Sequence, residues 1–246
     1  MPIKAVVFDA YGTLFDVQSV AGVTDAAFPG HGETITQIWR LKQLEYTWLR
    51  ALMDRYEDFW SVTKASLDFT LKTLGLEATP DFLARIAAAY DALALYPEAL
   101  AALQGLAPTR LAIFSNGSPA MLTNLTRQAG IDTLLETVIS VDEIGSYKPD
   151  PRGYRLVEER LGLTRDEILF VSSNGFDIAG AKAYGMTVAR IERVTQQALR
   201  EELVTGPIGP KSLFKALRMQ EEQLGAGADL TISSLSELVP YVAARR

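Results

Sequence analysis

The chain has no cysteine and only one histidine, and these two shortages exclude several kinds of chemistry. Without cysteine there is no thiol nucleophile, no disulfide and no thiolate metal site. The one histidine, His31, lies in the glycine-rich segment PGHGE, where we expect a solvated loop residue. Serine hydrolysis with a histidine base and zinc sites with several histidines are therefore excluded. Acid–base chemistry must come from carboxylates, lysine or tyrosine.

The sequence also has no long apolar run and no basic cluster. No stretch approaches the roughly 20 apolar residues that a membrane-spanning helix requires, and the formal net charge is -6. Nucleic acid binding would demand clustered Lys and Arg, so we expect neither a nucleic acid nor a membrane partner. The first residues do not show the charged-then-apolar pattern of a signal peptide, so we expect a cytoplasmic protein.

Short apolar runs typical of buried β-strands recur along the 246 residues and are mostly followed by helix-like segments. The runs cover residues 3–8, 111–115, 137–141, 168–172, 187–191 and 230–233. Strands that are buried on both faces read as continuous apolar segments, as AVVF, LAIF and ILFV do here. The alternation predicts an α/β fold with a doubly wound, Rossmann-like parallel sheet.

Two helical segments interrupt this alternation. Residues 17–96 have no strand-like run, and Thr79, Pro80 and Asp81 form a helix start with an N-cap, a first-turn proline and an early acid. We predict a core of residues 1–16 and 97–246 with an inserted helical cap, 17–96. A second helical excursion, about 194–227, includes the helix-like run SLFKALRMQEEQL. The apolar faces of both insertions favour a homodimer, with packing on their own core as the alternative.

The first strand ends in the segment FDAYGT, where Asp9 is a candidate nucleophile. Ligands of open parallel sheets bind at the carboxyl ends of the strands, which is where Asp9 falls. An aspartyl phosphatase built on this strand needs a second acid two residues later to protonate the leaving alcohol. That place holds Tyr11. The nucleophile is thus present without its usual acid partner.

Three further polar signals follow in order after DAYGT: Ser115-Asn116-Gly117, Lys148 in YKPDP, and the segment SSNGFD at 172–177. Each is weak alone, because a serine at a strand end is more often a helix cap. Together they resemble the haloacid dehalogenase superfamily over nearly the whole chain. Its phosphatases hold magnesium with acids near the last signal, and the first of these would fall at Ser173. Phosphoryl transfer is therefore disfavoured, whereas a halide leaving group needs no protonation.

Within that superfamily the segments FDAYGTLFD, WRLKQLEY, SNG, YKPD and VSSNGFD look like the (S)-2-haloacid dehalogenase family. The resemblance implies attack of Asp9 on C2 of a short-chain 2-haloacid anion, release of halide ion, and hydrolysis of the Asp9 ester. The product would be an (R)-2-hydroxy acid, formed without metal or other cofactor. A superfamily phosphatase, a dehalogenase active on fluoroacetate and a non-catalytic binding protein stay open as alternatives. The chain length of the substrate is also open.

The resemblance also assigns site residues. Lys148 would pair with Asp9 and keep it ionised, while Thr13 and Ser115 would orient the nucleophile and bind the substrate carboxylate. Arg40, which from sequence alone would be an exposed residue of a helix, would face the leaving halide. The other residues implied are Asn116 and Phe176 at the halide, Ala10, Tyr11, Leu41, Leu44 and Phe59 around the substrate, Ser172, Asn174 and Asp177 at the hydrolytic water, and Tyr154 as a further catalytic residue.

Overall fold

The computed structural model describes residues 2–245 and contains one six-stranded sheet. The strands are β1 Ala5–Phe8, β2 Arg110–Ser115, β3 Thr137–Ser140, β4 Ile168–Ser172, β5 Thr187–Ile191 and β6 Leu230–Ile232. All neighbours pair in parallel, in the order β3-β2-β1-β4-β5-β6. This is the doubly wound order, so the predicted α/β fold class is confirmed.

The central strands are apolar because helices cover the sheet and every residue of β1 and β4 is buried. In the register, Phe8 lies beside Ile113 of β2 and Val171 of β4. The residues that follow these three positions therefore meet at the carboxyl ends of the strands, which we call the sheet edge. β1 begins at Ala5, two residues later than predicted, because the N–H of Ile3 turns to the carbonyl of Arg245.

The inserted segment 17–96 begins with a 3-10 helix, Val17–Val20, and continues with α1 Ala21–Ala27, α2 Gly32–Leu52, α3 Phe59–Thr73 and α4 Pro80–Asp91. The predicted start of α4 is confirmed, since Oγ of Thr79 accepts a hydrogen bond from the N–H of Phe82 and Pro80 opens the helix. His31 is exposed and directly precedes α2. Helices α2 and α3 pack against each other, and the later helix Pro210–Arg218 packs against α2.

The remaining helices are α5 Ala99–Gly105, α6 Pro119–Gln128, α7 Pro151–Leu161, α8 Gly175–Tyr184, α9 Gln196–Thr205, α10 Pro210–Arg218 and α11 Leu238–Ala243. Four further 3-10 helices cover Asp132–Leu134, Val141–Ile144, Arg165–Glu167 and Leu235–Glu237. None of the helices within residues 2–245 is both long enough and apolar enough to cross a membrane.

Helix α10 is shorter than the sequence run SLFKALRMQEEQL predicts. The run extends to Leu224, but the helix ends at Arg218. Met219 turns inward, is 2% exposed, and approaches Gly12 of the loop after β1. Arg190 donates a hydrogen bond to the carbonyl of Met219, so a tertiary contact ends the helix here.

Candidate active site

The loop after β1 folds back so that Asp9 and Thr13 lie side by side. The carbonyl of Ala10 accepts hydrogen bonds from the N–H groups of Leu14 and Phe15, which closes the turn. Gly12 has φ +86, and a Cβ there would lie 3.1 Å from Met219 and 3.2 Å from Ser173. The positive φ favours glycine at this position, and the space for a side chain is tight.

The carboxylate of Asp9 is 5% exposed and is held on both oxygens. Its Oδ1 accepts a hydrogen bond of 3.1 Å from Nζ of Lys148. Its Oδ2 accepts bonds of 2.8 Å from Nδ2 of Asn174 and 3.1 Å from Oγ1 of Thr13. Three donors thus fix the plane of one carboxylate, which is the requirement for aiming an oxygen at a reacting carbon.

Lys148 is almost fully buried, and its ammonium bridges two carboxylates. Besides Asp9 it donates 2.9 Å to Oδ2 of Asp177 and 2.7 Å to the carbonyl of Phe114. These three acceptors use all three N–H groups of the ammonium. Sequence reasoning expected the contact of Lys148 with Asp9 but gave no sign of the one with the Phe114 carbonyl.

Asp177 lies at the start of α8 and is completely buried. Its Oδ1 accepts 2.8 Å from Oη of Tyr154, and its Oδ2 accepts 3.1 Å from Oγ of Ser172. Burial raises the pKa of Asp177 to about 6, and the charge of Asp9 adds to this rise while Lys148 opposes it. Burial also raises the pKa of Tyr154 well above its usual value, so Tyr154 keeps its proton and remains a donor.

Ser173 stands where a phosphatase would carry an acid. Here it forms hydrogen bonds with the loop after β1, which contains Asp9. Its N–H donates 3.0 Å to Oγ1 of Thr13, and its Oγ donates 2.8 Å to the carbonyl of Gly12. Among residues 2–245 no group of three or more His, Cys, Asp and Glu side chains could hold a metal ion. The residues present therefore do not fit the magnesium site of the phosphatases, because Ser173 has no carboxylate at the position where those enzymes carry an acid.

A cavity of about 20 Å³ lies in front of Asp9, and nine side chains line it. They are Asp9, Tyr11, Arg40, Leu44, Phe59, Asn116, Lys148, Asn174 and Phe176. A space of this size holds about one water molecule. The insertion contributes Arg40, Leu44 and Phe59, and the sheet edge contributes the others, so the cavity lies between α2, α3 and the carboxyl ends of the strands.

Three of the residues predicted around the substrate do not line this cavity. Ala10 is buried beneath the loop, and Oγ of Ser115 accepts a hydrogen bond of 3.2 Å from the N–H of Gly117. Leu41 is half-buried and packs with Leu44 and neighbouring apolar side chains. Their contact with substrate stays a prediction.

Arg40 lies on α2 with a 4% exposed side chain, not in solvent. Its Nη1 donates to Oε1 of Gln43 and, at 3.2 Å, to Oη of Tyr90. Sequence reasoning missed both partners. Gln43 is three residues after Arg40, on the neighbouring turn of the same helix, so spacing could have indicated it. Tyr90 is in α4, and no local pattern connects it with Arg40.

A family model described as haloacid dehalogenase-like hydrolase matches residues 3–185. The (S)-2-haloacid dehalogenase of Xanthobacter autotrophicus is 57% identical over 236 residues, covering 96% of this chain and 93% of that protein. The structure of the L-2-haloacid dehalogenase from that organism has a TM-score of 0.95 and 56% identity, covering 99% of this chain and 100% of that one. A second structure of it, with chloropropionic acid covalently bound, matches equally well.

The relatives resemble this chain over nearly its whole length, and the family model spans strands β1 to β4, the helices between β1 and β2, and the residues around Asp9. The chain therefore belongs to the (S)-2-haloacid dehalogenase family of the haloacid dehalogenase-like hydrolases.

Proposed function

We propose that this hydrolase converts short-chain (S)-2-haloalkanoic acids into (R)-2-hydroxy acids through an ester at Asp9 and without a metal ion. The observation that carries the proposal is the position of Asp9. Its carboxylate is held by Lys148, Asn174 and Thr13 and faces a cavity that also contains the cation of Arg40. A 56% identical relative with chloropropionic acid covalently bound supports the covalent route.

In the first step an oxygen of Asp9 forms a bond to C2 of the substrate, and the carbon–halogen bond breaks with its electron pair leaving on the halide. Attack from the side opposite the halide inverts C2. Arg40, Asn116 and Phe176 are proposed to receive the halide, because they line the cavity facing Asp9. Oδ1 of Asn116 accepts a hydrogen bond from the N–H of Lys148, so the amide N–H₂ is available to the halide.

In the second step water attacks the carboxyl carbon of Asp9, and the bond between that carbon and the ester oxygen breaks. The configuration at C2 is untouched, and the alkoxide oxygen takes up a proton. We propose that Ser172, Asn174 and Asp177 handle the water, and that Asp177 accepts its proton. Support comes from the pKa of about 6 that burial gives to Asp177, since a base acts best when its pKa lies near the working pH.

The substrate carboxylate is proposed to bind near Ser115 and the backbone N–H groups that follow β1 and β2. Apolar side chains of Tyr11, Leu41, Leu44 and Phe59 would surround the alkyl group. The cavity in front of Asp9 is lined by side chains from residues 17–96 as well as from the core. On this basis residues 17–96 act as a cap domain over the core of 1–16 and 97–246.

The decisive assay measures chloride released from each enantiomer of 2-chloropropanoate by enzyme treated with EDTA. We expect release from the (S) enantiomer at an undiminished rate and formation of (R)-lactate. Hydrolysis of a phosphate ester that requires added magnesium would overturn the proposal in favour of a phosphatase. No turnover of either substrate would favour a binding protein. Fluoroacetate in the same assay tests the alternative dehalogenase activity.

A homodimer and a cytoplasmic location are further proposals. Large apolar side chains are exposed at the end of α2, where Leu52 is 84% and Met53 59% exposed, and on α9, where Val204 is 87% exposed. Apolar surface of this kind is typical of subunit interfaces. Sedimentation of the protein at micromolar concentration tests the dimer, because a single species with the mass of one chain would contradict it.

A further inference from the structure

The charge of Arg40 is buried and is not paired directly with a carboxylate. The side chain is 4% exposed, and none of the ion pairs within residues 2–245 includes it. By contrast, the buried cation of Lys148 is paired with two carboxylates. A buried charge is costly unless it is paired or hydrogen-bonded, and the charge of Arg40 is directed at the cavity that it shares with the carboxylate of Asp9.

Two uncharged oxygens hold Arg40 in this orientation. Its Nη1 donates to the amide oxygen of Gln43 and to the hydroxyl oxygen of Tyr90. Both accept hydrogen bonds from the guanidinium without cancelling its charge. A carboxylate in either place would form an ion pair with Arg40 and compete with any anion in the cavity.

The side-chain amide of Gln43 cannot flip, because its bond with Thr63 determines that the oxygen and not the nitrogen faces Arg40. Oγ1 of Thr63 donates its proton to the carbonyl of Phe59 at 2.7 Å. The same oxygen can then only accept from Gln43, whose Nε2 donates to it. The Oε1 end is thereby directed to Arg40. Trp39 donates 3.0 Å to the carbonyl of Thr63, which ties α2 to α3 at the same point.

We propose that Gln43 and Tyr90 are positioning residues that orient Arg40, keep its charge available to the departing halide, and so set the enzyme's preference among leaving groups. The proposal rests on the role for Arg40 given above. Its consequence is specific to the halogen: weakening the cation penalises chloride, the poorer leaving group, more than bromide.

The test compares Gln43→Glu and Tyr90→Phe with the unaltered enzyme on (S)-2-chloropropanoate and (S)-2-bromopropanoate. For Gln43→Glu we expect the ratio of kcat/KM between bromo and chloro substrates to rise about tenfold, since the new carboxylate would pair with Arg40 and compete with the departing halide, and such a charged interaction is worth on the order of one power of ten or more. The inhibition constant for added chloride should rise by a similar factor. Tyr90→Phe should move both quantities in the same direction by a smaller factor.

Gln37→Glu is the matched control for Gln43→Glu. Gln37 is also buried on α2, but its side-chain hydrogen bonds are with Gln18 and not with Arg40. Tyr184→Phe removes a hydroxyl that contacts Glu158, away from the cavity. Neither control should change the ratio of kcat/KM between the bromo and chloro substrates, which we call the halogen ratio. A general loss of structure lowers the rates with the chloro and bromo substrates together and leaves their ratio unchanged. The ratio therefore distinguishes a positioning role from an effect on protein stability alone.

Arg40→Lys separates failure of this proposal from failure of the function on which it rests. If Arg40→Lys changes the halogen ratio while folded Gln43→Glu and Tyr90→Phe do not, the positioning role is wrong and the role of Arg40 stands. If Arg40→Lys also leaves the ratio unchanged, Arg40 does not face the halide. Should Gln43→Glu fail to fold, Tyr90→Phe decides alone, since it removes one oxygen and keeps the ring packing with Trp39.

Discussion

Nζ of Lys148 lies 3.1 Å from Oδ1 of Asp9, although 139 positions separate the two residues in the chain. The same ammonium lies 2.9 Å from Asp177, so one cation balances two carboxylates inside the protein. Both the chemistry and the stability of the site depend on this arrangement, because each carboxylate is buried and would otherwise lack a counter-ion.

Replacing Lys148 with Met should therefore abolish turnover and lower the free energy of unfolding by about 3–5 kcal/mol, the usual cost of leaving buried charges unpaired. Urea unfolding at neutral pH, with chloride release measured in parallel, checks both effects. Lys72→Met is the control, because Lys72 pairs with Asp68 in solvent and should matter little. Equal stability of the two variants would contradict the structural role of Lys148.

Asp9→Asn should remove halide release while preserving the fold, because Asn has nearly the shape of Asp but no anionic oxygen. In the unaltered enzyme, a single turnover in heavy-oxygen water should place one labelled oxygen in the Asp9 carboxyl group. Mass spectrometry of the peptide containing Asp9 detects it. Label found only in the product hydroxyl would show that water attacks C2 directly.

The rate of ester hydrolysis should fall at acidic pH, with a midpoint below about 6. Burial and the charge of Asp9 raise the pKa of Asp177 to about 6 in the free enzyme, and the ester removes the Asp9 charge, so the carboxyl becomes protonated and unable to accept a proton from water at a somewhat lower pH. Stopped-flow decay of the ester between pH 5 and pH 8 measures the profile. Asp177→Asn should remove this fall in rate at low pH, the acidic limb of the profile, together with most of the activity.

Asp142→Asn provides the comparison for this pH profile. Burial also raises the pKa of Asp142, but its partner is Tyr56 and it lies outside the cavity wall. Its replacement should leave the acidic limb in place. If Asp142→Asn removed the limb and Asp177→Asn kept it, the assignment to Asp177 would be wrong.

Tyr154→Phe should move the acidic limb to higher pH. The hydroxyl of Tyr154 donates 2.8 Å to Asp177 and lowers the pKa of that carboxyl by stabilising its charged form. Without the donor, the midpoint should rise by roughly one pH unit, in keeping with the energy of a charged hydrogen bond. Tyr184→Phe, which removes a hydroxyl from a ring stacked on Tyr154, should leave the midpoint unchanged. An unshifted midpoint in Tyr154→Phe would exclude coupling between the two groups.

Local sequence patterns determined the positions of the six strands and the start of α4, because apolar runs and capping residues act within a few neighbours. The turn that brings Thr13 against Asp9 is likewise local, since Gly12 alone allows its positive φ. Roles for Arg40, Tyr154 and Asn174 could be suggested only through the family resemblance, since spacing by itself left Arg40 in solvent.

Tertiary structure alone decided several of the partners. The contact of Tyr90 with Arg40, the bond from Lys148 to the carbonyl of Phe114 and the end of α10 at Arg218 all join residues from different elements. Such contacts depend on how distant elements pack together, and no repeat in the sequence encodes that packing. The physical reason is range: propensity and capping act over one or two turns, whereas burial and charge pairing act wherever folding brings side chains together.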